Sequence, residues 1–274
     1  MTSWRGLRRR ATLALARRGF FIPYRYADAV QAPALYPEIE PVFAAAVDRF
    51  RALLGETARY LDAFAGFDSL PPPSPRFAQD WFPRLDAAIA YAMVRVHAPR
   101  RIVEIGSGHS TRFLARAIAD GGLATRLTAI DPAPRAALAG LPVDWFQGPV
   151  QDVPPKVMGA LAPGDVLFVD SSHVLMPGSD VDLILNRVLP ILPAGALIHL
   201  HDIFLPDGYP PAWSWRGYNE QSAVAPLLTS GGYRLLWSSR YVATRMASEV
   251  RAAGLGALAL LPGAHEASLW LEKL

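Results

Sequence analysis

From Arg101 onward the chain alternates between two kinds of segment. Short apolar runs, RIVEI, RLTAID, VDWFQG, DVLFVD and GALIHLHD, are separated by stretches with helical periodicity such as STRFLARAIADGG and DVDLILNRVLPIL. The first of these helical stretches closes at glycines, a common helix stop. Apolar strands that alternate with helices bury both faces of a parallel sheet, so the pattern points to an α/β fold. Two more strand-like runs, YRLLWSSR and ASLWLEKL, follow the helical segment NEQSAVAPLLTSGG. The chain has 274 residues, of which 51% are hydrophobic, enough for a sizeable core.

Upstream of the alternation the pattern is helical. PVFAAAVDRFRALLGETARYLDAFAGF repeats apolar residues at three- and four-residue spacing, and LPPPSPRF then breaks the period as a linker. DWFPRLDAAIAYAMVRVHAPR reads as a further helix with Pro83 in its first turn. The expected division is an N-terminal helical extension over 1–75 and an α/β domain over 76–274. The opening segment carries seven arginines and no acid before Asp28. It reads either as a basic helix laid on the domain or as a peripheral contact with anionic membrane. It lacks the shape of a secretory signal, because ATLALA is short and runs into Arg17-Arg18. The most apolar stretch, VLPILPAGALIHL, is broken by prolines and is no membrane span. Cysteine is absent, which excludes disulfides and thiolate chemistry and suits a cytoplasmic setting. A net charge of +3 gives no reason to expect a nucleic-acid partner.

The turn VEIGSGHST sets Gly106 and Gly108 between a strand and a helix, where doubly wound sheets bind nucleotide-like ligands. Glu104 precedes the turn, and Asp131 ends the next strand, where a carboxylate can bond both hydroxyls of a ribose. Thr111 stands where a dinucleotide fingerprint has its third glycine. The turn therefore suits a ligand with a ribose and no pyrophosphate.

These residues, with the strand ends at Asp170 and Asp202, resemble a class I S-adenosylmethionine-dependent methyltransferase. Within that class the chain looks most like the bacterial group called methyltransferase family 24, and by motif like the catechol O-methyltransferase type. The resemblance covers Trp81 to Leu274. It implies a doubly wound Rossmann-like sheet, mostly parallel with one antiparallel strand near the C-terminus. It implies S-adenosylmethionine held by Glu104, Gly106, Ser107, Gly108, Ser110, Asp131, Gln151, Asp170 and Ser171, with Gln151 of GPVQD beside the adenine. The glycine turn is shorter than in the catechol type.

The strands ending at Asp170 and Asp202 are expected to be neighbours, with their ends about 5 Å apart. Two such carboxylates repel unless protonated or bridged by a cation. The resemblance places a divalent ion there, on Asp170, Asp202 and His201, with Pro206 matching the proline that comes after. Histidine in place of an oxygen ligand shifts the preference from magnesium towards manganese, iron or zinc, or marks the loss of the metal. His173 stands where the catechol type has its general base, three residues past Asp170, and it is read either as that base or as a packing residue. His199 reads as a core histidine and His109 as a helix-start residue. Trp213, Trp215 and Tyr218 are candidates for an acceptor wall, and Asn219 and Glu220 for contacts or caps.

The expected activity is methyl transfer to an oxygen or nitrogen of a small-molecule acceptor, with Asp170 and His173 as catalytic residues. The rivals are an NAD(P)-dependent oxidoreductase, a non-catalytic binding or assembly protein on the same fold, and a metal-dependent hydroxylase or hydrolase. A homo-oligomer is compatible with the sequence.

Overall fold

The structure, a computed structural model, describes residues 31–274 other than Gly159, together with Ala11 and Ala29. The basic opening segment, and with it both readings of its role, lies outside the described residues apart from Ala11. By its contacts the chain divides into Met1–Ala34 and Leu35–Leu274. Phe43, Phe50, Leu54, Phe64 and Phe67 belong to the same buried core as the sheet.

Seven strands form one sheet: β1 (Arg101–Ile105), β2 (Arg126–Ile130), β3 (Asp144–Phe146), β4 (Val166–Val169), β5 (Leu197–Leu200), β6 (Tyr233–Ser238) and β7 (Leu269–Lys273). Their order is β3-β2-β1-β4-β5-β7-β6. All neighbours are parallel except at β7, which runs antiparallel to both β5 and β6. The expectation of a doubly wound, mostly parallel sheet with one reversed strand near the C-terminus is borne out. Every residue of β4 and β5 is buried, as strands covered on both faces require. The register sets Ile105 beside Val169 and Val169 beside Leu200. Gly106, Asp170 and His201 therefore leave the sheet side by side.

The helices cover this sheet. α1 (Val47–Ala58), α2 (Arg84–His97) and α3 (His109–Asp120) are the longest, and α4 (Glu220–Thr229) comes after β5. The long helix expected over 41–67 is broken after α1, where Arg59 and Tyr60 close three-residue turns. Tertiary packing outweighs the local period there. Tyr60 and Phe64 lie against Tyr91 of α2, with ring centroids 5.3 and 5.1 Å away. Pro83 is the residue before α2 rather than part of its first turn. The segment expected as one helix over 180–192 is α-helical at Asp180–Leu183, a π-turn at Ile184–Val188 and 3₁₀ at Leu189–Ile191, so Pro190 falls in the last, tightened turn. No described helix is long and apolar enough to cross a membrane.

Candidate functional site

The site begins at the turn after β1. Gly106 has φ +78°, and a Cβ there would sit 1.7 Å from the carbonyl oxygen of Asp170. Only glycine lets β1 and β4 end this close together. Glu104, fully buried on β1, anchors the turn to the helix beyond it. Its carboxyl group accepts hydrogen bonds from Ser110 Oγ and Thr111 Oγ1, both at 2.6 Å. Thr111 Oγ1 in turn accepts the Gly108 N–H at 2.9 Å, which closes the helix start. Burial pushes the Glu104 carboxyl up to about 8, against the downward pull of those two hydroxyls. Thr111, at the third fingerprint position, is thus committed to the turn itself.

Asp131, at the end of β2, faces the turn. Its Oδ2 accepts from Ser107 N at 2.6 Å and Ser107 Oγ at 3.0 Å, and its Oδ1 accepts from Ala133 N at 2.7 Å. A carboxylate offers about four lone-pair directions, so it retains capacity for a ligand hydroxyl. A cleft of about 440 Å³ opens here at the carboxyl ends of the parallel strands. Gly106, Ser107, Asp131, Gln151, Asp170 and Ser171 line one part of it, and His173, His201, Asp202 and Tyr218 another. Of the expected ligand-binding residues, Glu104, Gly108 and Ser110 do not line it. They act one layer behind, holding the turn in shape. Gln151 is tied by its Nε2 to the Gly178 carbonyl at 3.1 Å. Ser171 Oγ is buried without a hydrogen-bond partner, an orphaned polar atom at the cleft wall. A cleft of this size with a free hydroxyl and a ribose-type acid fits a nucleoside-like ligand.

The strand-end acids meet at a histidine. His173 is buried, with φ +59°, and its Nε2 lies 3.3 Å from Asp170 Oδ1 and 3.5 Å from Asp202 Oδ2. Its Nδ1 lies 2.9 Å from Glu220 Oε2. Asp202 also has a left-handed backbone, φ +54°, so two non-glycine residues are held in an uncommon conformation within one cluster. Burial opposes a charge on His173, but hydrogen bonds to Asp170 and Glu220 and the field of Asp202 outweigh it and raise the imidazole well above its usual value. For Asp170, burial acts upward, while His201 and His173 pull harder and bring the carboxyl down to about 2. His173 is therefore an imidazolium at neutral pH, and its Nε2 proton points between two carboxylates.

That imidazolium stands where a divalent ion was expected. The third expected ligand is engaged elsewhere as well: His201 Nε2 lies 3.1 Å from the Trp81 carbonyl and 3.7 Å from Asp202 Oδ1, and its Nδ1 lies 3.4 Å from Ser268 Oγ. Among the described residues no group of three or more His, Cys, Asp or Glu side chains is arranged to hold a metal. The expected metal centre at Asp170, His201 and Asp202 is thus not supported.

The other candidates sort by position. His199 stacks on Phe168 at 3.6 Å and meets Ser268 Oγ at 3.0 Å, and burial keeps it neutral: a core histidine, as its place on β5 suggested. His109 does not line the cleft, and burial, with Arg112 and Arg76 nearby, brings it down to about 4. Tyr218 lies 4.6 Å from the His173 ring, with Trp213 behind it, whereas Trp215 is 79% exposed. Asn219 joins loops, its Oδ1 accepting from Leu175 N at 2.6 Å. The sequence reading missed three cleft residues: Trp81, Arg135 and Arg216. The only signal was that Arg135 lies four residues beyond the ribose-type acid and Arg216 within the aromatic loop.

The methyltransferase-24 family model, described as a methyltransferase domain, matches residues 103–203. Those residues run from within β1 past the end of β5 and contain the glycine turn, Glu104 and the three strand-end acids Asp131, Asp170 and Asp202. No curated protein matches the chain. Several solved structures are similar. One is an S-adenosylhomocysteine-bound methyltransferase, PaMTH1, from Podospora anserina. Identity is 18%, with 94% of this chain and 100% of that chain covered, at a TM-score of 0.44. Another is the O-methyltransferase TomG of Streptomyces achromogenes with S-adenosylmethionine, at 18% identity, 81% and 89% coverage and a TM-score of 0.43. A third is the plantazolicin methyltransferase BpumL with S-adenosylhomocysteine, at 14% identity, 85% and 98% coverage and a TM-score of 0.45. Residues 103–203 thus match a methyltransferase domain model, on a doubly wound, mostly parallel Rossmann-like sheet.

Proposed function

We propose that the protein transfers a methyl group from S-adenosylmethionine to an oxygen or nitrogen of a small-molecule acceptor. One observation carries the reading. A ribose-type acid, Asp131, and a buried cluster of acids and imidazole open onto the same cleft at the strand ends. S-adenosylmethionine, when bound, supplies an electrophilic methyl group on a sulfonium. Asp131 is the residue to accept the ribose hydroxyls, Gln151 to flank the base and Ser171 to offer its unpartnered hydroxyl.

Asp170 and Asp202 are then the groups that hold the acceptor's O–H or N–H. The acidity of that proton rises as the acceptor atom is alkylated, so a carboxylate suffices to take it. His173, already protonated, has no lone pair to serve as base. Its role in this reading is to fix both carboxylates. Glu220 at Nδ1 holds the ring in place. Positioning is the larger contribution, since in-line methyl transfer needs few groups beyond good alignment.

Titration calorimetry with S-adenosylmethionine, S-adenosylhomocysteine and NAD tests the ligand half of the reading. Binding of both sulfur ligands is expected. Tighter binding of NAD than of either would overturn it and favour an oxidoreductase. Turnover of labelled methyl groups across an acceptor panel tests the chemical half, and Asp202→Asn is expected to slow it with S-adenosylhomocysteine affinity unchanged.

A further inference from the structure

Several partly buried arginines pair with acids. Arg84 donates from Nε and Nη2 to the two oxygens of Glu266, at 2.8 and 2.7 Å. Arg240 and Arg245 both reach Asp207, each at 2.6 Å. Others are satisfied by neutral oxygens, Arg112 by the Ala137 carbonyl and Arg95 by Tyr91 Oη. Arg216 has a donor with neither kind of partner. It lines the cleft, yet no carboxylate among the described residues lies within ion-pair distance of it. Its guanidinium carbon lies over Trp213, 3.9 Å from the ring centroid, and 5.4 Å from the centroid of Tyr218. Nη1 donates to Tyr218 Oη at 3.2 Å. Nε is buried and has no hydrogen-bond partner in the described structure.

Aromatic rings satisfy the face of a guanidinium and leave its edge open. The open edge of Arg216 is the Nε side, the same side that Arg84 uses to grip both oxygens of Glu266. Leaving a buried N–H of a cation unmatched is costly, more so than for a neutral donor. A planar fork of two parallel N–H groups matches a carboxylate. Tyr218 links this fork to the reaction cluster, since its ring also lies 4.6 Å from the His173 ring. Tyr218 thus stands between the fork and the histidine that holds the strand-end acids. Asp170, Asp202 and Glu220 nearby disfavour a doubly charged group and leave a single negative charge as the better match.

We propose that the methyl acceptor carries a carboxylate and that the Arg216 fork receives it, with Tyr218 against the acceptor's body. This rests on the methyl-transfer reading of the cleft and narrows it to a substrate class. The same chemistry could come from the methionine carboxylate of the cofactor, and the test separates the two sources.

The full-length protein is saturated with S-adenosylhomocysteine and titrated with 3,4-dihydroxybenzoate and with catechol, which differ by the carboxylate. The benzoate is expected to bind at least tenfold more tightly. Arg216→Met should erase that preference, and Arg216→Lys, which keeps the charge without the fork, should restore part of it. Both variants should bind S-adenosylhomocysteine and 5′-methylthioadenosine as the wild type does. Equal affinity for the two probes, no binding of the benzoate, or an unchanged preference in Arg216→Met overturns the proposal. Loss of S-adenosylhomocysteine affinity in Arg216→Met, with 5′-methylthioadenosine unaffected, assigns the fork to the cofactor and also overturns it. Should Arg216→Met fail to fold, full benzoate preference in Arg216→Lys counts against the fork. Failure of the wild type to bind S-adenosylhomocysteine at all defeats the methyl-transfer reading itself, a different result from a missing carboxylate preference.

Discussion

Replacing Glu104 by glutamine should make the protein more stable at pH 8 than at pH 5 relative to the wild type. Glu104 is fully buried, and its carboxyl group is raised from 4.5 to about 8. Over that range the folded protein keeps a proton that the unfolded chain has lost. Stability therefore falls as the pH rises from about 4.5 towards 8. Each pH unit is worth about 1.4 kcal/mol, so the loss approaches roughly 4–5 kcal/mol at the upper end. Glutamine is neutral in both states and removes this slope. Its carbonyl can accept from Ser110, and its amide can donate to Thr111 Oγ1, which also accepts the Gly108 N–H. At pH 5 the variant should lie within about 1 kcal/mol of the wild type, the usual value of one hydrogen bond. At pH 8 it should be more stable by several kcal/mol. Urea denaturation of both proteins at pH 5, 6, 7 and 8 reads the difference directly, and groups that titrate alike in both cancel. Parallel curves, with no growth in the difference between pH 5 and 8, would refute the argument. Glu104 would then be ionised throughout, its burial offset by the Ser110 and Thr111 hydroxyls.

The remaining expectations concern the turn and the cluster. Asp131→Ala should weaken S-adenosylhomocysteine binding by about 1–3 kcal/mol in calorimetry, since it removes a charged acceptor and also loosens the Ser107 and Ala133 N–H groups. Gly106→Ala should cost more than about 3 kcal/mol in urea denaturation, because its Cβ would overlap the Asp170 carbonyl, which is backbone and cannot swing aside. His173→Gln should destabilise the protein at pH 7 by roughly 3–5 kcal/mol, as Asp170, Asp202 and Glu220 lose the cation between them. The raised imidazole contributes stability in full below the unfolded value of 6.5 and loses it as the pH climbs through its folded value. The gap between this variant and the wild type should accordingly close at high pH, and a constant gap from pH 6 to 10 would count against a charged His173.

Much of this protein is written locally. The alternation from Arg101 onward determines a parallel sheet, because runs such as LFV and LIHL are apolar on both faces and only helices on both sides can cover them. The turn VEIGSGHST determines its own shape, since Gly106 meets the β4 end where no Cβ fits and Glu104, Ser110 and Thr111 close it within eight residues of sequence. Asp131, Asp170 and Asp202 are legible as strand-end acids for the same reason: a polar residue directly after a buried strand must face the open end of the sheet. Charge balance is not local. Whether Asp170 and Asp202 hold a metal or an imidazolium depended on where the backbone of His173, at φ +59°, aims its ring, and on Glu220 arriving from α4 to hold Nδ1. Trp81 and Arg216 reach the cleft from segments far from the glycine turn, and only the fold shows that they and Arg135 share it. The chain's periodicity decides its strands and helices because those depend on neighbours in sequence. The protonation and partners of its site depend on distances in space, and only the folded structure sets those.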